Sequence, residues 1–138
     1  MNGNTDQFQE DLRLNLSIVM TACDRFGTTV EDGMAATEPE WHEQLLEMEK
    51  LIEHSRAKIA AARADLHRWI EEEKLETSVQ VVEWKAMRQT DKLHARADRY
   101  ERCANAAVEI AAAKIDEAGQ WVFRALLARN EAISIQVK

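Results

Sequence analysis

The chain has 138 residues, a net charge of −7 and 31% charged residues. This length predicts a single domain, and the acidic balance argues against a protein whose whole surface attracts nucleic acid or anionic lipid. No apolar run approaches the roughly 18 residues of a membrane span, and the N-terminus lacks the order of a secretory signal, so a cytoplasmic location is expected.

The distribution of helix breakers predicts an all-α fold. Four glycines and one proline all lie outside residues 40–118, a stretch in which helix formers dominate. Strand-like alternation is nearly absent. We therefore expect an elongated antiparallel coiled-coil hairpin with an additional N-terminal helix, together a three-helix bundle that is oligomeric.

The first element is a helix over about residues 5–26. Its apolar residues recur every three or four positions and share one face: Phe8, Leu12, Leu16, Val19 and Cys23. Gly27 is well placed to end this helix. Residues 27–37 show no periodicity and predict a loop.

A second helix is expected over about 38–74. Thr37 and Glu40 have the spacing of a capping box, and Pro39 falls in the first turn, where its missing N–H is harmless. A regular 4-3 spacing follows: Trp41, Leu45, Met48, Ile52, Ser55, Ile59, Ala62, Leu66 and Trp69. This repeat predicts a coiled-coil seam.

The repeat next reaches Glu73 and Glu76, so the seam is expected to stop near residue 70. We predict a tight reversal at 74–78 and a third helix over about 78–134, with Thr77 and Gln80 as its cap. One unbroken helix from 38 to 134 remains an alternative, because no glycine or proline forces the turn.

The third helix continues the heptad phase and then slips by one residue beyond Ala107. Its expected seam positions are Val79, Val82, Ala86, Leu93, Tyr100, Cys103, Ala107, Ile110, and then Ala111, Ile115, Ala118, Val122 and Ala125. A turn near residue 77 would place Met48 beside Ala106. Residues 117–134 would overhang, covered by the first helix of the same chain or of a second copy.

Catalytic and metal-binding patterns are weak. Only Asp91-x-x-His94 has the acid-x-x-His spacing of di-iron bundles, and its acid is aspartate rather than glutamate. Cys23 and Cys103 are expected to be structural thiols, and Glu71–Glu73 a solvated helix end. Phosphate-binding and nucleophile motifs are absent. We therefore expect no enzyme activity, no cofactor and no metal site.

The favoured function is a non-enzymatic protein–protein interaction module, an adaptor, assembly or regulatory bundle, that self-associates as a homodimer. Tryptophan and neighbouring apolar residues are favoured interface anchors. The candidate contact residues are Trp84, Trp121, Phe123, Leu126 and Leu127.

A second hypothesis is a nucleic-acid-associated helical protein. The basic stretches 56–68 and 85–102 would lie side by side in the hairpin and form a belt: Arg56, Arg63, Arg68, Lys85, Arg88, Lys92, Arg96, Arg99 and Arg102. A surface laced with ion pairs is the simpler interpretation. A weaker hypothesis is a secreted hairpin or secretion-apparatus component, but the turn lacks Trp-x-Gly and no family is assigned.

Overall fold

The computed structural model describes residues 3–137, which are helical almost throughout. The helices are α1 (Gly3–Ala35), α2 (Glu38–Leu75), α3 (Ser78–Ala86) and α4 (Thr90–Val137). The first three all pack against α4. The predicted all-α helical bundle is confirmed, although the described residues form four helices where three were expected.

The first helix is longer than the sequence indicated. It continues through Gly27 to Ala35, so that only residues 36 and 37 separate it from α2. The prediction of a loop over 27–37 is therefore wrong. Packing of Thr29 and Gly33 against α4 holds the second half of α1 in place. This packing outweighs the cost of one helical glycine, which is about 1 kcal/mol.

Gly27 offers a direct test of the continuous first helix. It is exposed, and nothing lies within 4 Å of the position that a Cβ atom would occupy. Gly27→Ala is therefore expected to raise the free energy of unfolding by about 0.5–1 kcal/mol in urea denaturation. At Gly119, by contrast, a Cβ would lie 2.6 Å from Met48 Cε. Gly119→Ala should therefore raise the free energy of unfolding by less than Gly27→Ala does. A Gly27→Ala variant less stable than the parent would contradict a helix at this position.

The second helix begins and runs as predicted. The Thr37 hydroxyl donates a hydrogen bond to the Glu40 carboxylate at 3.0 Å, although it does not cap a backbone N–H. All nine predicted seam positions from Trp41 to Trp69 are buried or half-buried. The face of the seam is therefore confirmed.

The register of α2 on α4 differs from the predicted one. The two helices are antiparallel, with Met48 against Gly119, Lys58 near Glu109 and Glu73 against Arg99. Met48 therefore does not meet residue 106. The register is displaced because the chain does not turn back tightly at 74–78; α3 and the turn after it lie between the two long helices.

The predicted third helix is split in two. Thr77 and Gln80 form a complete capping box, which starts α3 as the sequence indicated. The helix then ends at Ala86, and Arg88 adopts a φ of 52°, a left-handed conformation that interrupts the helical path. Neither the single helix over 78–134 nor the unbroken helix over 38–134 is therefore present.

The first helix runs parallel to α4 and packs on a different face of α4 from the one that α2 contacts. Asn15 donates a hydrogen bond to Asn105 at 2.7 Å, and a Cβ on Gly33 would lie 2.9 Å from Leu126. The overhang expected at 117–134 is thus covered in part within the chain, by the end of α1 and the start of α2, while Trp121 and Ile133 remain exposed. The bundle's most buried large side chain, Phe123, lies in this region.

Two predicted apolar faces pack only in part. Their half-buried members are Phe8, Val19, Leu93, Cys103, Ile110, Ile115 and Val122. On α1, Ala22 and Gly33 are buried whereas Leu12, Leu16 and Cys23 are exposed. On α4, the predicted positions Ala107, Ala111, Ala118 and Ala125 are exposed, and the buried line runs through Ala106, Ala112, Gly119, Phe123 and Leu127. The reason is that α4 contacts two helices at once, so its most buried line lies between the two contact faces.

Candidate interaction surfaces

A polar cluster continues the α2 seam beyond Trp69. It consists of Glu73 on α2 and Glu76 directly after the end of α2, with Arg96, Arg99 and Tyr100 on α4. Arg99 is buried and donates to Glu76 Oε1 at 2.8 Å and to Glu73 Oε2 at 2.6 Å. The Tyr100 hydroxyl donates to the other oxygen of Glu73. The seam therefore does not stop near residue 70; it changes from apolar to ionic contacts.

Two features limit how well this cluster is satisfied. The Nε of Arg99 is buried without a hydrogen-bond partner. Arg96 is more distant, with its Nε 3.8 Å from Glu76 and its guanidinium 4.8 Å from the Tyr100 ring centroid. A buried polar atom without a partner costs free energy, so the cluster fixes register more effectively than it adds stability.

The cluster changes the ionisation of its members. The hydrogen bond from Tyr100, with Arg99 acting in the same direction, lowers the pKa of Glu73 below its ordinary value. The hydrogen bond from Arg99 lowers the pKa of Glu76. The same bond to Glu73 raises the pKa of Tyr100. All three groups are thus held in the states that they have at neutral pH.

These directions predict a pH dependence of stability. The pKa of each glutamate is lower in the folded chain than in the unfolded chain, so the unfolded chain takes up protons first as the pH falls. Stability should be complete above about pH 5 and decline as the pH falls through the folded-state pKa values. Urea denaturation at several pH values measures this. In a Glu73→Gln/Glu76→Gln variant the decline should be shallower, and an equal decline in both proteins would contradict the assignment.

A groove of about 600 Å³ lies between α1 and α2, with α4 as its floor. Its floor is apolar and includes Phe26, Met48, Ile52 and Phe123. Its rim is acidic: Asp24, Asp32, Glu47 and Asp116. The base at this rim, Arg25, already binds Asp116 through two hydrogen bonds of 3.0 and 3.1 Å. Among the described residues, no cluster of histidine, cysteine and acidic side chains could hold a metal ion.

The opposite face of the α1–α4 pair carries a second apolar surface. Thr21, Arg25 and Asp32 mark the side of α1 that faces the groove and α2. Successive helical residues turn by about 100°, so an exposed apolar row lies on the other side: Leu12, Leu16, Met20, Cys23 and Met34.

Small residues on α4 lie beside this row. On α4, Asn105 and Leu126 face α1. The residues directly before them, Ala104 and Ala125, are turned by about 100° around the helix, away from the buried line of α4. Together with residues between them at heptad spacing they form a row on α4: Ala104, Val108, Ala111, Ala118, Val122 and Ala125. We call these two rows together the apolar flank.

The predicted contact residues divide into two groups. Phe123, Leu126 and Leu127 pack inside the chain, at the junction of α4 with α1 and α2. Trp121 is 62% exposed, beneath the guanidinium of Arg124 at 4.9 Å, and Trp84 is half-buried with Lys92 at 5.6 Å. Of the five predicted contact residues, the two tryptophans are therefore the ones that the structure leaves available for contact with another molecule.

The two basic stretches lie side by side only at one end. Lys58 is near Glu109 and Glu73 is against Arg99, so most of 56–68 faces the middle of α4 and only its end reaches the level of residues 99–102. Arg99 is buried in the polar cluster, and Arg96 points to Glu76. The remaining belt residues are exposed on separate parts of the bundle: Arg56, Arg63, Arg68, Lys85, Arg88, Lys92 and Arg102.

Comparison with known proteins gives no family. Neither family models, nor curated proteins, nor solved structures match this chain. Within residues 3–137, no helix combines the length and apolar character needed to cross a membrane. Any proposal for function therefore depends on the surfaces described above.

Sequence reasoning missed the exposure of the α1 face and the role of Arg99. The sequence did contain a signal for the role of Arg99. The heptad phase of α2 reaches Glu73 and Glu76, and the downstream helix carries several arginines. Acidic residues at seam positions indicate a partner of opposite charge as readily as the end of the seam.

Proposed function

We propose that this chain is a non-enzymatic protein-interaction module that acts by self-association. The carrying observation is its surface: the single chain exposes 10,014 Å². A compact monomer of 15.8 kDa is expected to expose about 7,300 Å² from the scaling of surface with mass. Part of the difference reflects the elongated bundle, and the rest is available for contact with another molecule.

The composition of that surface supports an interface. Phe123, 1% exposed, is the sole large side chain that is fully buried among the described residues. Many large apolar side chains are exposed, including Leu14, Leu16, Met20, Met34, Leu46, Leu75, Val79, Ile135 and Val137. Exposed apolar side chains that share one surface mark interaction sites, and Leu16, Met20 and Met34 share one side of α1. Obligate dimers bury about 1,000–2,500 Å² per partner, an area that this excess can supply.

A protein partner agrees better with the charges than nucleic acid does. The basic side chains of the proposed belt are interrupted by acids, with Lys58 near Glu109 and Arg99 enclosed by Glu73 and Glu76. Nucleic-acid sites need several cations free to contact phosphates. We therefore favour assembly or regulation through protein contacts, in a cytoplasmic setting.

Sedimentation velocity and light scattering over low micromolar to several hundred micromolar protein test this proposal. The expected mass is twice the 15.8 kDa of the chain, at least at the upper end of the range. A mass of one chain at every concentration would contradict self-association. Retention of the dimer in high salt is expected as well, because apolar contacts are not screened.

A further inference from the structure

The apolar flank has the composition of a surface that fits a copy of itself. We propose that it is the dimer surface, and that its occupant is the apolar flank of a second copy related by a two-fold axis. This inference rests on the proposed self-association and specifies where it occurs.

Side-chain size makes the flank self-complementary. Its α1 row projects large side chains into solvent, with Leu16 61% and Met20 55% exposed. Its α4 row offers Ala111 and Ala118, which are exposed small side chains beside that ridge. In a two-fold interface the same patch serves both partners. The ridge of each copy is then placed against the alanines of the other, so that large residues interdigitate with small ones as close packing requires.

Charge distinguishes the flank from the groove on the opposite face. The α1 row is free of charged side chains from residue 14 to residue 23, in a chain of net charge −7. On the α4 row, the exposed Lys114 lies between Ala111 and Ala118 and pairs with Glu117 of the same helix. Interface centres are depleted in charge. The groove, in contrast, is rimmed by Asp24, Asp32, Glu47 and Asp116. Two copies meeting there would bring like charges together, which costs free energy. A second copy therefore fits the flank and not the groove.

The size of the flank is sufficient for a dimer. α1 and α4 run side by side from Asn15 and Asn105 to Gly33 and Leu126. At 1.5 Å per residue and 10 Å per helix, this gives a footprint of roughly 27 by 20 Å, or about 550 Å². Standard interfaces bury about 800 Å² of accessible surface per partner, and interdigitated side chains bury more than the flat footprint.

Other exposed apolar side chains lie outside the flank. One group surrounds α3, with Leu75, Val79, Val82 and Met87, and another ends α4, with Ile133, Ile135 and Val137. Leu46, Leu51 and Trp121 are exposed as well. They serve as the competing outcomes in the experiment.

Cys23 reports on the flank without disturbing it, because it is an exposed thiol within the α1 row. In a Cys103→Ser background, maleimide labelling of Cys23 is followed while the mass is measured on the same dilution series. We expect the labelling rate to fall at least tenfold from the monomeric to the dimeric range. A rate that does not change while the mass doubles would overturn the flank and leave self-association standing. A chain that stays monomeric would overturn both.

Substitutions that introduce a charge on the apolar flank test whether the dimer depends on this surface. Ala111→Glu, on the flank, should give a monomer with unchanged helical circular dichroism. The matched control is Ala57→Glu, since Ala57 is also an exposed helical alanine but lies on α2. It should remain a dimer. A dimer that survives Ala111→Glu and is lost in Val82→Glu would place the interface at α3. Should Ala111→Glu fail to fold, the Cys23 labelling decides.

Discussion

Replacing Glu73 and Glu76 together with glutamine is expected to lower the free energy of unfolding by about 2–3 kcal/mol. Arg99 would remain in place with only 8% of its surface exposed and no carboxylate to neutralise it. The cost is below that of a fully enclosed ion pair because the Glu73 side chain is 38% exposed. Urea denaturation at neutral pH measures the change. Glu72→Gln is the matched control, on the exposed neighbour of Glu73, and should change stability little.

The same cluster should tolerate complete replacement by apolar residues. In a variant carrying Glu73→Leu, Glu76→Leu and Arg99→Leu, apolar contacts would replace the ionic ones between the end of α2 and α4. Its stability is expected within about 1 kcal/mol of the parent or above it, as buried ion pairs often behave. The unsatisfied Arg99 Nε favours this result. A triple variant no more stable than the double glutamine variant would show that the ionic contacts themselves stabilise the fold.

The second large effect is expected at Phe123. Phe123→Ala removes the largest enclosed side chain from the junction of α1, α2 and α4, and should destabilise the chain by about 3–5 kcal/mol. Domain stabilities are about 5–15 kcal/mol, so this change should unfold a considerable fraction of the protein on mild heating. Thermal melts followed by circular dichroism measure it.

Trp121 supplies the matched control for Phe123. It lies two residues earlier on the same helix, but it is 62% exposed and contacts the Arg124 guanidinium. Trp121→Ala should therefore cost less than about 1 kcal/mol, mainly the cation–π contact. Similar losses for the two variants would indicate that α4 is rotated relative to the arrangement described here.

Features that depend on local sequence could be predicted. The α2 seam was readable because a 3.5-residue repeat needs only one helix to be recognised. The capping box at Thr77 was readable because it depends on residues within one turn. At Thr37 the start of α2 was predicted correctly, but the threonine side chain caps no backbone N–H. The exposure of Trp121 is consistent with the prediction that it is available for contact, whereas Phe123 and Leu127 pack within the chain.

Features that depend on a partner helix could not be predicted. Periodicity identifies a face but not what covers it, so the apolar face of α1 was expected to pack and instead remains exposed. The break at residues 87–89 contains no glycine or proline, and Arg88 adopts its left-handed φ without a local sequence signal. The register of α2 on α4 followed from that break. Because the pairing of Glu73 with Arg99 depends on this register, it could not be predicted either.

Self-association would explain why apolar residues that the sequence predicts to be buried on α1 and on α4 are exposed in the single chain. The faces of α1 and α4 that the periodicity favours are adjacent in the structure and form the apolar flank. A face that is apolar in sequence and exposed in one chain is expected to be covered in the assembly. The sequence pattern and the packing are then consistent, with the flank as the seam between two copies.

The dependence of the melting temperature on protein concentration tests this account most directly. If folding and dimerisation are coupled, mass action stabilises the folded dimer as concentration rises. With about 0.7 kcal/mol of unfolding enthalpy per residue, a hundredfold increase in concentration should raise the melting temperature by about 5 °C. Ala111→Glu should abolish this dependence, and Ala57→Glu should retain it. A melting temperature that stays constant over the hundredfold range in the parent protein would contradict the account.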